Sequence, residues 1–458
     1  MIRTALAASA AGALVSDSRK MDKPRYIYAI DDHPPLRLAL LYGIQWGIIA
    51  FPSFIIMAAL IGRALDFNAL QQVRFLQLLL VVSGFFTTVQ TLWGHRYPLL
   101  DGPSTALLLT FIVLAPFGIA TIQGGTIFGG VLLVLLVLTG QLKRAVLYAT
   151  PNVVGVILML ISFTLLPYLV RSIMGGNGSG GGNRLGIFLT SLALVLLITV
   201  LSQWLRGLWK TFALLLGMLL GTVLFALLGL VDWASIATAA WVSTPRPWTA
   251  SAPSFYWPGL LAFGSAYLAL LVNSLGSLHG VANITDTERL PAAITRGVFF
   301  NGLEGIVAGL LGTVGSVSYS ISPGVILANR VASRFALTYC GVLLIVAAFV
   351  PKLAALLALV PTPVVGAALC VAMGAQIGAG LSIIAAKGVT SRDYYVVGLP
   401  LLIGTMVGFL PDALMASMPG AFRVFLGNGL IMGILLVLLL EHLLLPKAAA
   451  AGAAGADT

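Results

Sequence analysis

Apolar runs dominate the chain and recur from Leu38 to Leu445, separated by short polar joints. Each run is close to the roughly 20 residues that an α-helix needs to cross a bilayer. Counted along the chain, the runs predict fourteen spans, so that residues 26–445 form one all-α polytopic membrane domain. Residues 1–25 are predicted to be a disordered tail and residues 446–458 a second tail.

Two of these runs, the third and the tenth, carry helix-breaking residues in mid-membrane. The third reads RYPLLDGPSTALLLTFIV, and the tenth begins SVSYSISPGVILANR. Proline lacks a backbone N–H and clashes with the preceding helical turn. Irregular backbone is tolerated at membrane depth only where protein or a water-filled cavity covers it. We therefore expect each segment to be a short extended stretch followed by a half-helix, and both to line a shared cavity.

The two broken runs occupy corresponding places in a repeat. Gly102-Pro103 follows the first run by about as much as Pro323-Gly324 follows the eighth, and TPNVVGVIL from Thr150 matches PTPVVGAAL from Pro361. A repeat of seven spans cannot return the chain to its starting side, so the second copy is inverted. Inverted repeats with broken helices at matching positions are typical of secondary transporters, which bind substrate where the half-helix N-termini meet.

The composition agrees with a membrane protein. Hydrophobic residues make up 59% of the chain and charged residues 9%, whereas soluble domains carry about a quarter charged residues. Cys340 and Cys370 both lie in apolar runs and show no metal or redox spacing, so we interpret them as packing residues.

The net charge of +11 is explained by membrane orientation, because cytoplasmic loops are enriched in Lys and Arg. With an even number of spans, most of the 25 basic residues fall on the inner side, which predicts that both termini are cytoplasmic. The predicted location is the cell inner (cytoplasmic) membrane. The outer side keeps only Arg63, Arg74, Arg171, Arg184, Arg246, Lys352 and Arg423. No basic patch is left over for nucleic acid.

Three segments resemble the nucleobase/ascorbate transporter family, which includes uracil and xanthine permeases. They are YAIDDHPPLRLALLYGIQW, GHRYPLLDGPSTALLL and SYSISPGVILANRVASR, and the resemblance covers about Tyr26 to Leu445. It implies a core domain of spans 1 to 4 and 8 to 11 and a gate domain of spans 5 to 7 and 12 to 14. It also implies short extended segments in spans 3 and 10, a homodimer through the gate domains, and proton-coupled import of a purine or pyrimidine base.

The chain departs from the family pattern at the places that bind the base. The first-span Gln-His pair of the family is Gln45-Trp46 here, and the eighth-span Glu is Asn273. In the tenth-span signature only Gly324 and Arg330 are kept among Ile321, Ser322, Pro323, Gly324, Asn329 and Arg330. The resemblance therefore points to a divergent branch of the family.

The remaining polar groups can still hold a flat heterocycle, which needs amides that donate and accept, an aromatic face and backbone donors. The predicted substrate-binding residues are Gln45, Trp46, Ser104, Thr105, Asn273, Ser322, Pro323 and Gly324. Gln45 and Asn273 have an alternative role as hydrogen bonds between helices, and Trp46 has one as a packing residue. We expect Ser104 and Ser322 to lie within a ligand's length of each other.

Two acids are the candidates for proton coupling, because acidic residues are costly inside membrane segments. Asp101 stands just before the Gly-Pro break of span 3, and Glu304 lies three residues after Asn301. Asp101 has the alternative role of an N-cap for the half-helix that begins at Pro103. Glu304 has the alternative role of a partner for a core hydroxyl or for a basic residue at the cytoplasmic face.

No other chemistry is indicated by the sequence. His95 and His442 are predicted at membrane interfaces, and His279 lies off the helical face of Asn273. No metal-ligand spacing is present, so no cofactor or metal is predicted. A membrane-embedded enzyme would need a nucleophile, a paired acid and base, or a metal cluster, and the sequence indicates none of these. A small-anion transporter with the same inverted-seven fold, similar to the sulfate permease family, stays open as the alternative to a nucleobase transporter.

Overall fold

The computed structural model describes residues 26–175, 184–229, 231, 236–237, 239–249, 251–386, 388–418 and 426–445. The predicted tails at 1–25 and 446–458 and most of the glycine-rich loop at 175–183 lie outside the described residues. Within the described part the molecule is helical, with one pair of short strands, so the helical class predicted from the sequence is confirmed.

The first half of the chain contains nine helices among its described residues and one strand. They are α1 (Leu36–Ala64), α2 (Ala69–Leu92), β1 (Asp101–Pro103), α3 (Thr105–Leu114), α4 (Ile119–Leu138), α5 (Leu142–Tyr148), α6 (Pro151–Thr164), α7 (Leu166–Ile173), α8 (Arg184–Trp204) and α9 (Leu208–Leu227). A 3₁₀ turn, Ala115–Phe117, follows α3.

The second half of the chain repeats this order of long helices around a strand and a short helix. Its elements are α10 (Trp257–Ile284), α11 (Leu290–Leu311), β2 (Ser316–Ser318), α12 (Ser322–Asn329), α13 (Arg334–Ala348), α14 (Pro351–Ala358), α15 (Thr362–Ala386), α16 (Ser391–Val407), α17 (Asp412–Ser417) and α18 (Gly429–Leu439). The last turn, Leu440–Leu444, is a π-helix.

Nine described helices are long and apolar enough to cross a membrane. A tenth span results if α13 and α14, which meet at a bend of 92°, are counted as one broken helix. Two shorter apolar helices, Thr105–Phe117 and Gly429–Leu444, are each too short to cross alone. The protein is therefore a multi-pass membrane protein, as the apolar runs predict.

The two strands pair with each other where the sequence predicts extended segments. β1 and β2 are antiparallel, with Asp101 opposite Ser318 and Pro103 opposite Ser316. The backbone N–H of Ser104 donates to the Gly315 carbonyl at 3.1 Å and prolongs the ladder by one bond. This pairing satisfies backbone groups that have no helix to satisfy them. The extended segments predicted from Gly and Pro are present in both broken runs.

Each half-helix begins directly after its strand. α3 starts at Thr105, and Ser104 is its N-cap. α12 starts at Ser322 and carries Pro323 in its first turn, where the missing N–H of proline costs nothing. α12 ends at Arg330, which adopts a left-handed conformation with φ of 54°.

The helices around the strands pack in two equivalent sets, as an inverted repeat requires. α13 packs against α1 and α2, and α4 packs against α10 and α11 in the corresponding way. Glycines allow the close approach in both sets. A Cβ atom at Gly84 of α2 would lie 2.6 Å from the carbonyl oxygen of Gly341 on α13. One at Gly130 of α4 would lie 2.6 Å from the carbonyl oxygen of Gly302 on α11.

The segment before α1 is held against the second half of the chain by charge. The Asp31 carboxylate accepts from Arg289 at 2.9 Å and from Arg334 at 2.7 Å. The hydrogen bond from Arg289, together with that from Arg334, lowers the pKa of Asp31 against a smaller opposing effect of burial. Tyr28 and Val331 form a parallel β-bridge beside these ion pairs. The start of α1 is thereby fixed relative to α12 and α13.

Candidate functional site

The N-terminus of α3 presents hydrogen-bond donors that no protein group satisfies. The backbone N–H groups of Thr105, Ala106 and Leu107 have no acceptor among the described residues, and Leu108 is the first to bond back into the helix. The Ser104 hydroxyl is fully buried and has no partner within the same part of the chain. Free N–H groups at a helix N-terminus form a ready site for an anion or a carbonyl oxygen.

The N-terminus of α12 has a free donor of the same kind. The Gly324 N–H has no acceptor within the described ranges, and Gly324 is exposed. A Cβ atom at Gly324 would meet no other atom within 4 Å, so the helix opens onto free space at this turn. Ser322 is buried instead, and its hydroxyl oxygen accepts from the Leu100 N–H at 3.4 Å.

One face of α10 lies against this opening. Asn273, Ser277 and Gly280 share that face, because they are four and three residues apart. A Cβ atom at Gly280 would lie 3.2 Å from Pro323, and the Ser277 hydroxyl donates to the Ser318 carbonyl at 2.7 Å. Asn273 is half-buried, and its side-chain amide makes no hydrogen bond within the part of the chain that the structure describes. Asn273 therefore lies on the face of α10 that contacts β2 and α12, seven residues or about 10 Å of helix from the turn beside Pro323.

Gln45 contacts α12 at its other end. The Gln45 Nε2 atom donates to the Asn329 side-chain oxygen at 3.1 Å. Asn329 lies seven residues beyond Ser322, which corresponds to about 10 Å along a helix. The observed bond is an interhelical hydrogen bond, which is the alternative role considered for Gln45.

Trp46 is the predicted aromatic face, and it lies in the hydrophobic core with 1% of its surface exposed. The burial of its ring in the core agrees with the alternative role of Trp46 as a packing residue. Thr105 is half-buried at the first turn of α3, next to Ser104. The substrate-binding role of these residues stays a prediction.

Asp101 is the centre of a buried polar network. Its Oδ1 atom accepts from the Ser318 hydroxyl at 2.7 Å, and its Oδ2 atom lies 3.2 Å from the Nε2 atom of His95. The Asp101 carbonyl accepts from the Thr87 hydroxyl at 3.1 Å. The N-cap of α3 is Ser104, whose side chain makes no capping bond. The alternative role of Asp101 as the N-cap is therefore wrong.

The tautomer of His95 follows from its second contact. The Nδ1 atom of His95 accepts from the Tyr97 N–H at 3.0 Å, so it carries no proton. The neutral ring then bears its hydrogen on Nε2 and donates it to Asp101. His95 is 1% exposed, so protein groups surround it, and its position at a membrane interface stays a prediction. A neutral histidine thus anchors a buried carboxylate at the break in span 3.

Glu304 is the second buried carboxyl group near the strand pair. It is fully buried on α11 and lies beside Ser316, whose hydroxyl is 3.0 Å from that of Ser83. Neither carboxyl oxygen of Glu304 makes a hydrogen bond of good geometry to another described residue. Ser316 and Ser318 share one face of β2 and lie about 7 Å apart along the strand. The serines that lie beside the carboxyl groups of Asp101 and Glu304 are therefore on the same face of β2.

Several functional candidates escape the sequence analysis. Gln90 donates to the Asn301 side chain at 2.6 Å and accepts from the His95 N–H at 3.3 Å, and Asn301 donates to the Ser274 hydroxyl at 3.0 Å. This chain joins α10 and α11 to the loop that carries His95 and Asp101. A signal is present only in the segment GHRYPLLDG, where a histidine precedes the acid by six residues.

The arrangement offers donors for a substrate and buried acids behind them. Backbone N–H groups of two half-helices and the amide of Asn273 can bind carbonyl oxygens or an anion. Asp101 and Glu304 are two buried carboxyl groups beside the strand pair, and their role in proton coupling stays a prediction. Among the described residues no group of three or more His, Cys, Asp or Glu side chains is placed to hold a metal ion.

Comparison with known proteins identifies relatives along almost the whole chain. The xanthine/uracil permease profile, described as "Permease family", matches residues 37–413. A putative purine permease of Clostridium perfringens is 26% identical, covering 91% of this chain and 93% of the relative. The uric acid permease PucK of Bacillus subtilis is 27% identical, covering 90% and 96%. The xanthine permease of Bacillus subtilis is 23% identical, covering 86% and 91%.

Solved structures with the same fold are membrane transporters of anions. The transmembrane domain of the cyanobacterial bicarbonate transporter BicA superposes with a TM-score of 0.58 at 18% identity, covering 82% of this chain and 97% of that domain. The murine anion transporter Slc26a9 in its inward-facing state gives a TM-score of 0.60 at 13% identity, covering 90% and 69%. At these identities the likeness establishes the fold.

Proposed function

Because the chain belongs to the permease family, we propose that it is a secondary active transporter that carries a purine or pyrimidine nucleobase across the cytoplasmic membrane. Relatives that match over most of their length are named as uric acid, xanthine and purine permeases. They are transporters and not enzymes, and this chain is a transporter too.

The observation that carries this proposal is the placement of Asn273 on the face of α10 that contacts β2 and α12. A half-buried amide without a partner in the described residues can donate to a ring carbonyl and accept from a ring N–H at once. The free N–H groups of Gly324 and of the first turn of α3 add donors. This donor-rich set is suited to bases with several carbonyl groups.

The proposal includes the finer architecture implied by the family. Added to the nine long helices, the two half-helices, the bent pair α13–α14, α16 and the helix Gly429–Leu444 complete fourteen spans in two inverted sevens. Spans 1 to 4 and 8 to 11 form the core domain, and the others form the gate domain. Both termini are cytoplasmic, and the protein is a homodimer through its gate domains. The equivalent packing of α4 and α13 supports the repeat.

We place proton coupling at the buried acids. Asp101 is held by His95 and Ser318 and borders the first turn of α3, so a proton on its carboxyl group changes the field at the donors that bind substrate. His95 is a positioning residue, because it orients the carboxylate through Nε2. Glu304 is the second candidate, served by Ser316 on the same face of β2.

A ligand panel tests the substrate class without any gradient. Thermal melting of the purified protein is measured with nucleobases, nucleosides and the anions sulfate and bicarbonate. We expect one or more bases to raise the melting temperature, because binding to the folded state stabilises it by an amount that grows with the logarithm of ligand concentration over Kd. Stabilisation by anions but by no base would contradict the proposal.

A small-anion transporter is the second candidate function. The bicarbonate and anion transporters among the solved structures share the fold, and free N–H groups at helix N-termini also suit anions. The amide of Asn273 favours a base, because its oxygen can accept from a ring N–H while its NH2 group donates to a ring carbonyl, and sulfate has no hydrogen to donate to that oxygen. The same panel therefore separates both candidates.

A further inference from the structure

A second cavity lies on the side of α10 that faces away from Asn273. It has a volume of about 990 Å³ and is bounded by α4, α5, α6, α10 and α18. On α10 the lining residues are Leu268, Leu271, Val272 and Leu275, which lie on a different helical face from Asn273. The cavity is therefore separate from the candidate substrate site.

The walls of this cavity are almost wholly aliphatic, and its polar groups gather at one end. Its polar side chains are Gln141, Arg144 and Tyr148 of α5 and His442 at the end of α18. Leucine, isoleucine and valine side chains line the rest, down to Ile434 on α18, which lies eight residues from His442, or about 12 Å of helix. That depth approaches half of the roughly 30 Å hydrocarbon core, the thickness of one leaflet.

The polar end is positively charged. Arg144 is exposed, and its only bond within the described residues goes to the Gln141 side chain at 3.2 Å. Lys143 beside it is exposed too, and no Asp or Glu lines the cavity. His442 lies 3.1 Å from the Tyr148 carbonyl and holds the end of α18 against α5. An uncompensated cation at the mouth of an aliphatic cleft matches an amphiphile with a negative headgroup.

We propose that this cleft binds an anionic phospholipid of the bilayer, with its headgroup at Arg144 and an acyl chain between α10 and α18. α4 and α10 on one wall belong to the proposed core domain, and α6 and α18 on the other belong to the proposed gate domain. A lipid held there contacts both domains. This consequence for transport depends on the proposed function, whereas the binding site itself does not.

Lipid binding is measured directly on the purified full-length protein in nanodiscs. Retention of fluorescent phosphatidylglycerol is compared with that of fluorescent phosphatidylcholine for the unmodified protein, Arg144→Gln, Arg144→Lys and Arg206→Gln. We expect the unmodified protein to prefer phosphatidylglycerol, and Arg144→Gln to lose about fivefold of that preference, the effect of one basic residue at an anionic surface. Arg144→Lys should restore most of it.

Arg206→Gln is the matched control, because Arg206 is exposed, lies on the same predicted side of the membrane and does not line the cleft. It should keep the full preference. A second variant, Leu435→Trp, fills the aliphatic part of the cleft and should reduce retention of both lipids. Equal preference in Arg144→Gln and the unmodified protein, or equal loss in Arg206→Gln, would overturn the proposal. This test measures lipid binding and not transport. Its result therefore stays valid even if the proposed transport function is wrong.

Discussion

The Asp101 carboxylate lies 3.2 Å from the Nε2 atom of His95, and neither side chain is exposed. The Tyr97 N–H occupies the other ring nitrogen of His95, so the histidine can only donate to Asp101 while this bond persists. The contact therefore orients the Asp101 carboxyl group through Oδ2 and leaves Oδ1 to the Ser318 hydroxyl. The pair places one buried carboxyl group directly before the half-helix whose first N–H groups have no acceptor among the described residues.

Replacement of the acid tests coupling. Asp101→Asn should abolish accumulation of substrate against a gradient while exchange of substrate continues. The amide keeps the size of the side chain, and the Ser318 hydroxyl can turn to accept from it, but the amide cannot carry the proton. Uptake and counterflow into proteoliposomes measure the two activities. Normal accumulation by Asp101→Asn, or uptake by the unmodified protein that ignores an uncoupler, would leave Asp101 without a coupling role.

Removal of the positioning histidine tests the network itself. His95→Phe leaves one oxygen of Asp101 without its buried donor, which should lower the free energy of unfolding by about 1.5–3 kcal/mol, the range for hydrogen bonds to charged groups. Denaturant unfolding in detergent measures the change. His279→Phe is the control, because His279 is exposed on α10. If both variants unfold alike, His95 does not stabilise the carboxylate.

The half-buried amide of Asn273 on α10 is the next target. Asn273→Ala should weaken binding of the nucleobase by about 1–3 kcal/mol, the cost of leaving a ligand polar group unpaired, while thermal stability stays unchanged. Asn283→Ala serves as the control, since Asn283 lies further along α10 and is exposed. Titration calorimetry or a competition assay gives the affinities. Equal affinities in the two variants would assign Asn273 to structure alone.

A side chain added at the open turn should block the site without disturbing the fold. Gly324→Val adds a Cβ atom that meets no atom within 4 Å, with two methyl groups beyond it, so it should reduce substrate affinity at least tenfold, about 1.4 kcal/mol. Gly374→Val on α15 is matched, because Gly374 is also exposed with no atom within 4 Å of an added Cβ. Both variants should melt as the unmodified protein does. Unimpaired binding by Gly324→Val would place the substrate elsewhere.

The fold follows from the sequence as far as hydrophobicity and helix breakers can determine it. Apolar runs and the two Gly-Pro breaks predict long helices and two extended segments, and β1 and β2 occupy those segments. The number of spans is less accessible, because a run such as that of α13 and α14 bends by 92° at Pro351 without losing its apolar character. Hydropathy indicates that a segment lies in an apolar environment, but it does not indicate whether its helix is straight or bent.

The buried hydrogen-bond network around Asp101 could not be predicted from the sequence. Asp101 is recognisable as an acid in a membrane segment, but its partners His95 and Ser318 come from a loop and from the other repeat. Antiparallel pairing of β1 with β2 brings these groups together across more than two hundred residues, and no local pattern encodes that register. Gln45 is a second example of this limit. The sequence predicts it as a substrate-binding residue, whereas its side chain bonds to Asn329 at the C-terminal end of α12.

The central claim, that this chain moves a nucleobase, is tested most directly by uptake into proteoliposomes that contain only the purified protein. Radiolabelled uric acid, xanthine and uracil are compared with labelled sulfate and bicarbonate, with Gly324→Val as the matched inactive control. We predict saturable uptake of at least one base that excess unlabelled base suppresses and that the variant loses. Saturable uptake of sulfate or bicarbonate, with no uptake of any base, would contradict the account.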